Sequence, residues 1–298
     1  MSEQRTAPPE ERATHHPGRE VIIDHYTPRE VAARTQTVGV TKARLDFWDT
    51  LTLSVLAGAF ISLGAVLATL ILVGSNLGFG VTRLFSGIAF SLGLILVVVA
   101  GAELFTGNNL IVMSWVSRRI GVHELLRNWV IVYFGNFLGA LSVVGQVYMS
   151  DIWQLNGFSV GATALTIALA KVQLGFWTAL FRGILCNALV CLAVWLASGG
   201  RSIIDKVAGI VFPISAFVAV GFEHSIANMY FIPIGMALRN NPQVLAAAGL
   251  TEEQVAPLTI AGLVGNLIPV TIGNIIGGSV MVGMVYWFVY LRKAPDHH

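Results

Sequence analysis

Apolar residues gather in six long blocks along the chain, at about residues 49–73, 84–116, 127–149, 174–197, 203–238 and 258–291. A helix crosses the hydrocarbon core of a bilayer with about 20 apolar residues, so the pattern predicts six membrane spans. The second and fifth blocks are too long for one straight crossing, which predicts an interrupted helix in each. The first 45 residues are polar and contain prolines, with no apolar stretch of the kind a signal peptide carries. They read as a soluble arm with a short helix near PREVAARTQ, capped by Thr27 ahead of Pro28. The division is an arm over 1–45, a transmembrane domain over 46–293 and a tail over 294–298.

Polar residues inside the apolar blocks repeat. Gly101 to Asn108, GAELFTGN, and Gly221 to Asn228, GFEHSIAN, share G-x-E-x-x-x-x-N. Gly135-Asn136-Phe137-Leu138-Gly139 in the third block and Gly273-Asn274-Ile275-Ile276-Gly277 in the sixth share G-N-x-x-G. Their order predicts two three-span halves entering the membrane from opposite sides, an inverted repeat of the kind found in transporters and channels. Phe105 to Asn109 contains poor helix formers and is expected to form the non-helical turn in the first half. Glu103 and Glu223 are expected to cap the half-helices that resume after each break. Irregular backbone at membrane depth survives only where it is buried in protein or lines a polar path, so both breaks point to a pathway near the midplane.

Composition agrees with the pattern: of 298 residues, 55% are apolar and 11% charged, and the mean hydropathy of +0.73 lies outside the soluble range. Lys and Arg cluster in the arm, at Arg118, Arg119 and Arg127, at Arg201 and Lys206, and at Arg292 and Lys293. The opposite side holds Arg83, Lys171 and Arg239, with Arg182 expected inside the fourth span. That asymmetry places both termini in the cytoplasm. The net charge of +2 is then a topology signal, and no nucleic-acid partner is implied. Cys186 and Cys191 are too poorly aligned on one helix for a good disulfide and read as small buried residues.

An ionised side chain at mid-span costs about 2.5–3.5 kcal/mol, so such groups face protein or a watery path. Of seven histidines, His224 alone falls inside a span. An imidazole titrates near neutrality and can offer a hydrogen bond or a proton to an anion without permanent charge. Around it the blocks supply Phe85, Phe90, Leu94, Leu104, Phe105, Phe212, Phe217, Phe222 and Tyr230, which make a bare ion costly to pass. A small weak acid drawn in by Lys171 and neutralised beside His224 fits that chemistry. No nucleophile–base pair, metal cluster or phosphate-cradling glycine motif appears, which argues against an enzyme, a cofactor or a metal. Paired Asn-Pro-Ala signatures of a water channel are also absent.

GAELFTGNNL, FRGILCNALVCLAVWLA (181–197), GFEHSIANMYFIPIG (221–235) and NLIPVTIGNIIGG (266–278) strongly resemble the formate/nitrite transporter family, closest to its formate-channel branch. The resemblance covers about residues 45–293. It implies an aquaporin-like six-helix protomer in a homopentamer, embedded in the cell's inner membrane. It also implies exchange of a small anion such as formate, nitrite or hydrosulfide with its weak acid. On matching positions His224 is the central histidine, with Glu223 beside it. Leu104, Phe105 and Thr106 would come from the loop that interrupts the second helix. Phe90, Leu94 and Phe217 would constrict the pore, Asn187 and Asn274 would be polar partners of the site, and Lys171 the vestibule lysine. Lys42 is a candidate for the family's second lysine. The first loop reads FTG where formate channels read FTS, and Gly107 is a candidate mark of another substrate.

Overall fold

The structure is a computed structural model that describes residues 25–293, all helix and connecting turns with no strand among the described residues. Most of the N-terminal arm and the whole 294–298 tail lie outside the described residues. Helix α1, Pro28–Arg44, starts at a capping box: Glu30 N–H reaches the Thr27 hydroxyl while the Glu30 carboxylate accepts the Thr27 N–H at 2.7 Å. The helix expected to be short runs 17 residues, onto the membrane domain. The Thr27 hydroxyl and the Thr27 N–H, each donating to the Glu30 carboxylate at 2.7 Å, hold it below the usual glutamate range. The cap therefore contributes above that range and is lost as pH falls through the lowered value. Thr27→Ala removes one half of the box, and α1 is expected to open to tryptic cleavage roughly fivefold faster, with the membrane domain unaffected.

Among the described residues, six helical stretches are long and apolar enough to cross a membrane, as expected. The first is α2, Phe47–Leu72, capped by Asp46. Helix α3, Phe79–Ile95, continues through π-helical turns at Leu96–Gly101 and stops. The chain runs extended over Ala102 to Leu104 and resumes as α4, Phe105–Asn108, a 3-10 turn at Asn109–Ile111, and α5, Val112–Val116. The break thus lies three residues earlier than the FTGNN loop expected from propensity. Gly101 takes the left-handed region, φ 86°, and tertiary contacts hold the next helix start, so FTGN is helical despite its composition.

Helix α6, Val122–Met149, leads to α7, Ser159–Val172, an apolar helix too short to cross and absent from the expected spans. Then follow α8, Phe176–Gly199, and α9, Ile203–Val220. Gly221 ends α9 with φ 86°, the chain extends to His224, and α10, Ser225–Leu238, resumes. Short helices α11, Pro242–Ala248, and α12, Glu252–Val255, connect to α13, Ile260–Ile275, which passes through π-helical turns at Ile276–Met284 into α14, Val285–Tyr290.

The two G-N-x-x-G motifs explain the tightest helix crossings. A Cβ at Gly139 would overlap the Val55 carbonyl of α2, and one at Gly277 would overlap the Ile184 carbonyl of α8. Small residues at such crossings let helices pack without a hydrophobic drive between them. Aromatic pairs also recur: Phe47 and Trp48 open α2 edge to face at 5.2 Å, and Phe176 and Trp177 open α8 in the same way at 5.3 Å. Both tryptophans point outward, 72% and 68% exposed, as residues seated at a membrane–water boundary do.

Candidate functional site

Each break leaves backbone groups without helical partners, and one asparagine answers for each break. At the first, Asn136 on α6 donates to the carbonyls of Ser54 and Glu103, at 2.8 and 2.9 Å, and accepts the Phe105 N–H at 3.0 Å. At the second, Asn274 on α13 donates to Gly183 and Glu223, at 2.8 and 3.0 Å, and accepts the Ser225 N–H at 2.9 Å. Helix-start capping expected of the glutamates is done instead by Asn136 at Phe105, and by Asn274 at Ser225 together with the His224 side chain at Ala227.

The glutamates take other partners. Glu103 binds Lys42 Nζ at 2.7 Å and Asn108 Nδ2 at 2.7 Å; Asn108 reaches Asn128, which donates to the Lys42 carbonyl. Glu223 binds Lys171 Nζ at 3.0 Å and Asn228 Nδ2 at 2.6 Å; Asn228 reaches Asn266, which donates to the Lys171 carbonyl. One circuit is the counterpart of the other, and Lys42 occupies the place in its half that Lys171 has in the second. Both carboxylates are buried, and a buried charge that loses its only cation costs about 3–5 kcal/mol. Lys171→Met is expected to lower stability by about 3 kcal/mol, and adding Glu223→Gln should recover part of the loss; chemical denaturation in detergent reads both.

Within the breaks themselves, symmetry fails at the residue before each helix restarts. His224 stands where the first half has Leu104, and it is the N-cap of α10. Its Nδ1 accepts the Ala227 N–H at 3.1 Å, so the proton of the neutral ring is on Nε2. Nε2 faces the Thr106 hydroxyl at 2.9 Å, and through this contact the two breaks meet. Thr106 is fixed in turn, since its carbonyl accepts from Asn187 Nδ2 at 3.2 Å and from Cys191 Sγ at 3.3 Å. Asn187 Nδ2 also reaches the Asn109 side chain and the Asn274 carbonyl, both at 2.7 Å. Asn187 and Asn274 thus brace the breaks.

A cavity of about 210 Å³ opens from the mouth formed by Lys171, Arg83 and Arg182 and closes on Phe90, Phe217 and His224, with Glu223 in its wall. Phe90 meets Phe217 edge to face at 5.6 Å, and Phe217 stacks on His224 at 6.0 Å. Leu94, Leu104, Phe105 and Thr106 are buried outside the lining of this cavity. Phe105 packs on Tyr133 at 5.0 Å and on Trp129. Two aromatics expected near His224 do not surround it: Phe212 is 77% exposed on the outer face and Phe85 is also exposed. Arg182 lies in α8, as expected, yet its side chain lines the cavity mouth. Gly107 has room to spare, for a Cβ there would make only an ordinary contact with Val194, so the FTG variation does not reshape the site.

Residue patterns alone gave no site role to Asn108, Asn128, Asn228, Asn266 and Arg83. Buried asparagines recurring at matched positions of the two halves are the signal that finds the first four.

The formate/nitrite transporter family profile matches residues 29–288. The formate channel FocA of Escherichia coli K12 is 44% identical over 280 residues, 93% of this chain and 98% of that protein. A probable formate transporter of Methanothermobacter thermautotrophicus is 39% identical, over 90% of this chain and 98% of that one. Among solved structures, a pentameric formate channel with formate bound superposes with a TM-score of 0.77 at 40% identity, covering 83% of this chain and 98% of that one. An ion channel of the same family superposes with a TM-score of 0.74 at 28% identity, covering 87% and 98%.

Proposed function

We propose that this chain, which belongs to the formate/nitrite transporter family, is a formate channel in which His224 assists protonation of the passing anion. The observation that carries this reading is the single imidazole at the meeting point of two otherwise matched breaks, Nε2 toward Thr106 and a phenyl constriction above it. Formate approaches as an anion through the basic mouth. Phe90 and Phe217 strip its water, which raises the cost of the charge. A solvent proton taken up at Nδ1, which then releases the Ala227 N–H, makes the ring an imidazolium. Its Nε2 proton passes to the carboxylate beside the Thr106 hydroxyl, the ring returns to its neutral form, and the acid crosses as a neutral molecule. Glu223 and Lys171 neutralise one another and hold the break open. The relatives' assembly supports a homopentamer with one pore in each protomer. Outward apolar faces such as that of Phe212 then meet lipid or a neighbouring copy. Lys and Arg gather on the face that carries α1, which supports cytoplasmic termini and a place in the inner membrane. Competition among formate, nitrite and hydrosulfide in proteoliposomes tests the substrate: formate is expected to move saturably and to be displaced least, and preferred movement of either other anion overturns the assignment.

A further inference from the structure

Two positions that the matched halves make equivalent carry charge on the side opposite α1 and none on the α1 side. The Glu223 N–H bonds to the carbonyl of Arg182, at 3.3 Å, as the Glu103 N–H bonds to that of Leu53, at 3.2 Å, so Arg182 and Leu53 are equivalent. Counted back from the break glycines, Arg83 and Ile203 occupy the same position. The mouth opposite α1 therefore has two guanidinium groups where the other has two aliphatic side chains. Lys171 and Glu223 cancel within that mouth, as Lys42 and Glu103 do in the other.

Neither arginine is spent on an acid. Arg83 donates Nη2 to the Val218 carbonyl at 2.7 Å and Nε to that of Ala219 at 3.1 Å, which stops the free C-terminal end of α9. Its Nη1 protons remain available. Arg182 makes no ion pair among the described residues, and both side chains line the 210 Å³ cavity that ends at His224. The one carboxylate in the lining, Glu223, is paired with Lys171, so the two guanidinium groups leave the cavity net positive, and a planar guanidinium matches a carboxylate better than an ammonium does.

We propose that Arg83 and Arg182 form a carboxylate-capture site at the mouth opposite α1, so that the channel fills at lower formate concentration from that side than from the other. The inference rests on formate being the cargo. Charge focused at a cleft raises capture by about tenfold or more. Arg83 also terminates α9, so the test is placed on Arg182. Formate uptake is measured in right-side-out and inverted membrane vesicles of the same cells, for wild type, R182Q and R182K. R182Q is expected to raise the half-saturating formate concentration about threefold to tenfold from the mouth opposite α1 only. The saturating rate from that side stays unchanged while that from the other mouth falls by the same factor, as microscopic reversibility requires of a passive pore. R182K restores most of the loss, and about 0.5 M salt erases the difference. Equal shifts from both sides, or no shift, overturn it. Broadening of the 13C-formate resonance by the purified protein reads binding without transport. Loss of broadening in R182Q supports the site and unchanged broadening overturns it, while a wild type that binds but carries no formate defeats only the transport reading.

Discussion

Replacing Asn274 with alanine is expected to destabilise the protein by about 5 kcal/mol, the largest effect of any single truncation at the breaks. Three buried hydrogen bonds to backbone are lost at once. Two of the groups, the Glu223 carbonyl and the Ser225 N–H, lie in the break, while the Gly183 carbonyl keeps its place in the α8 ladder. Each stranded group costs about 1–3 kcal/mol where no water reaches it. The cost is set by desolvation, so a volume-filling Asn274→Leu does not relieve it. Thermal unfolding in detergent, read by circular dichroism, checks the result, and Asn136→Ala serves as the matched case in the first half. A loss below about 1 kcal/mol at both positions would mean that the breaks are held by helix packing alone.

His224→Asn is expected to lower formate flux at neutral pH by about a hundredfold while leaving the fold intact, because general acid catalysis by a placed side chain contributes at least that much. Asparagine is the informative replacement. His224 has two separate duties: Nδ1 caps α10 through the Ala227 N–H, and Nε2 faces Thr106. Asparagine is among the best N-cap residues and keeps the first duty. It has no titratable proton and forfeits the second. Unchanged unfolding temperature with lost flux assigns the loss to the proton; lost stability with lost flux would assign it to the cap.

Much of the architecture is legible in residue order. An acid and an imidazole in the middle of an apolar block announce a break, and the two G-x-E-x-x-x-x-N segments announce that there are two. What escapes is set by contacts between distant segments. Propensity favours a turn at FTGNN, but Asn136, 31 residues downstream, accepts the Phe105 N–H and starts a helix there instead. Hydropathy places Phe85 and Phe212 beside His224 because an apolar residue facing lipid and one facing a pore look alike in sequence; the fold turns both outward. Lys42 follows a polar arm with few matched positions, so sequence marks it only as a candidate, and its ion pair with Glu103 depends on α1 lying on the first break. Helix α7 escaped for a simpler reason, since its 14 residues fall short of a span.

The central claim is that formate crosses this pore by becoming neutral beside His224. Formate flux into proteoliposomes, followed across pH 4–8 for wild type and His224→Asn, tests it most directly. The account predicts saturable wild-type flux that rises as pH falls, with the rise lost in the variant. Wild-type and variant flux that follow the same pH curve, or water permeability without formate movement, would contradict it.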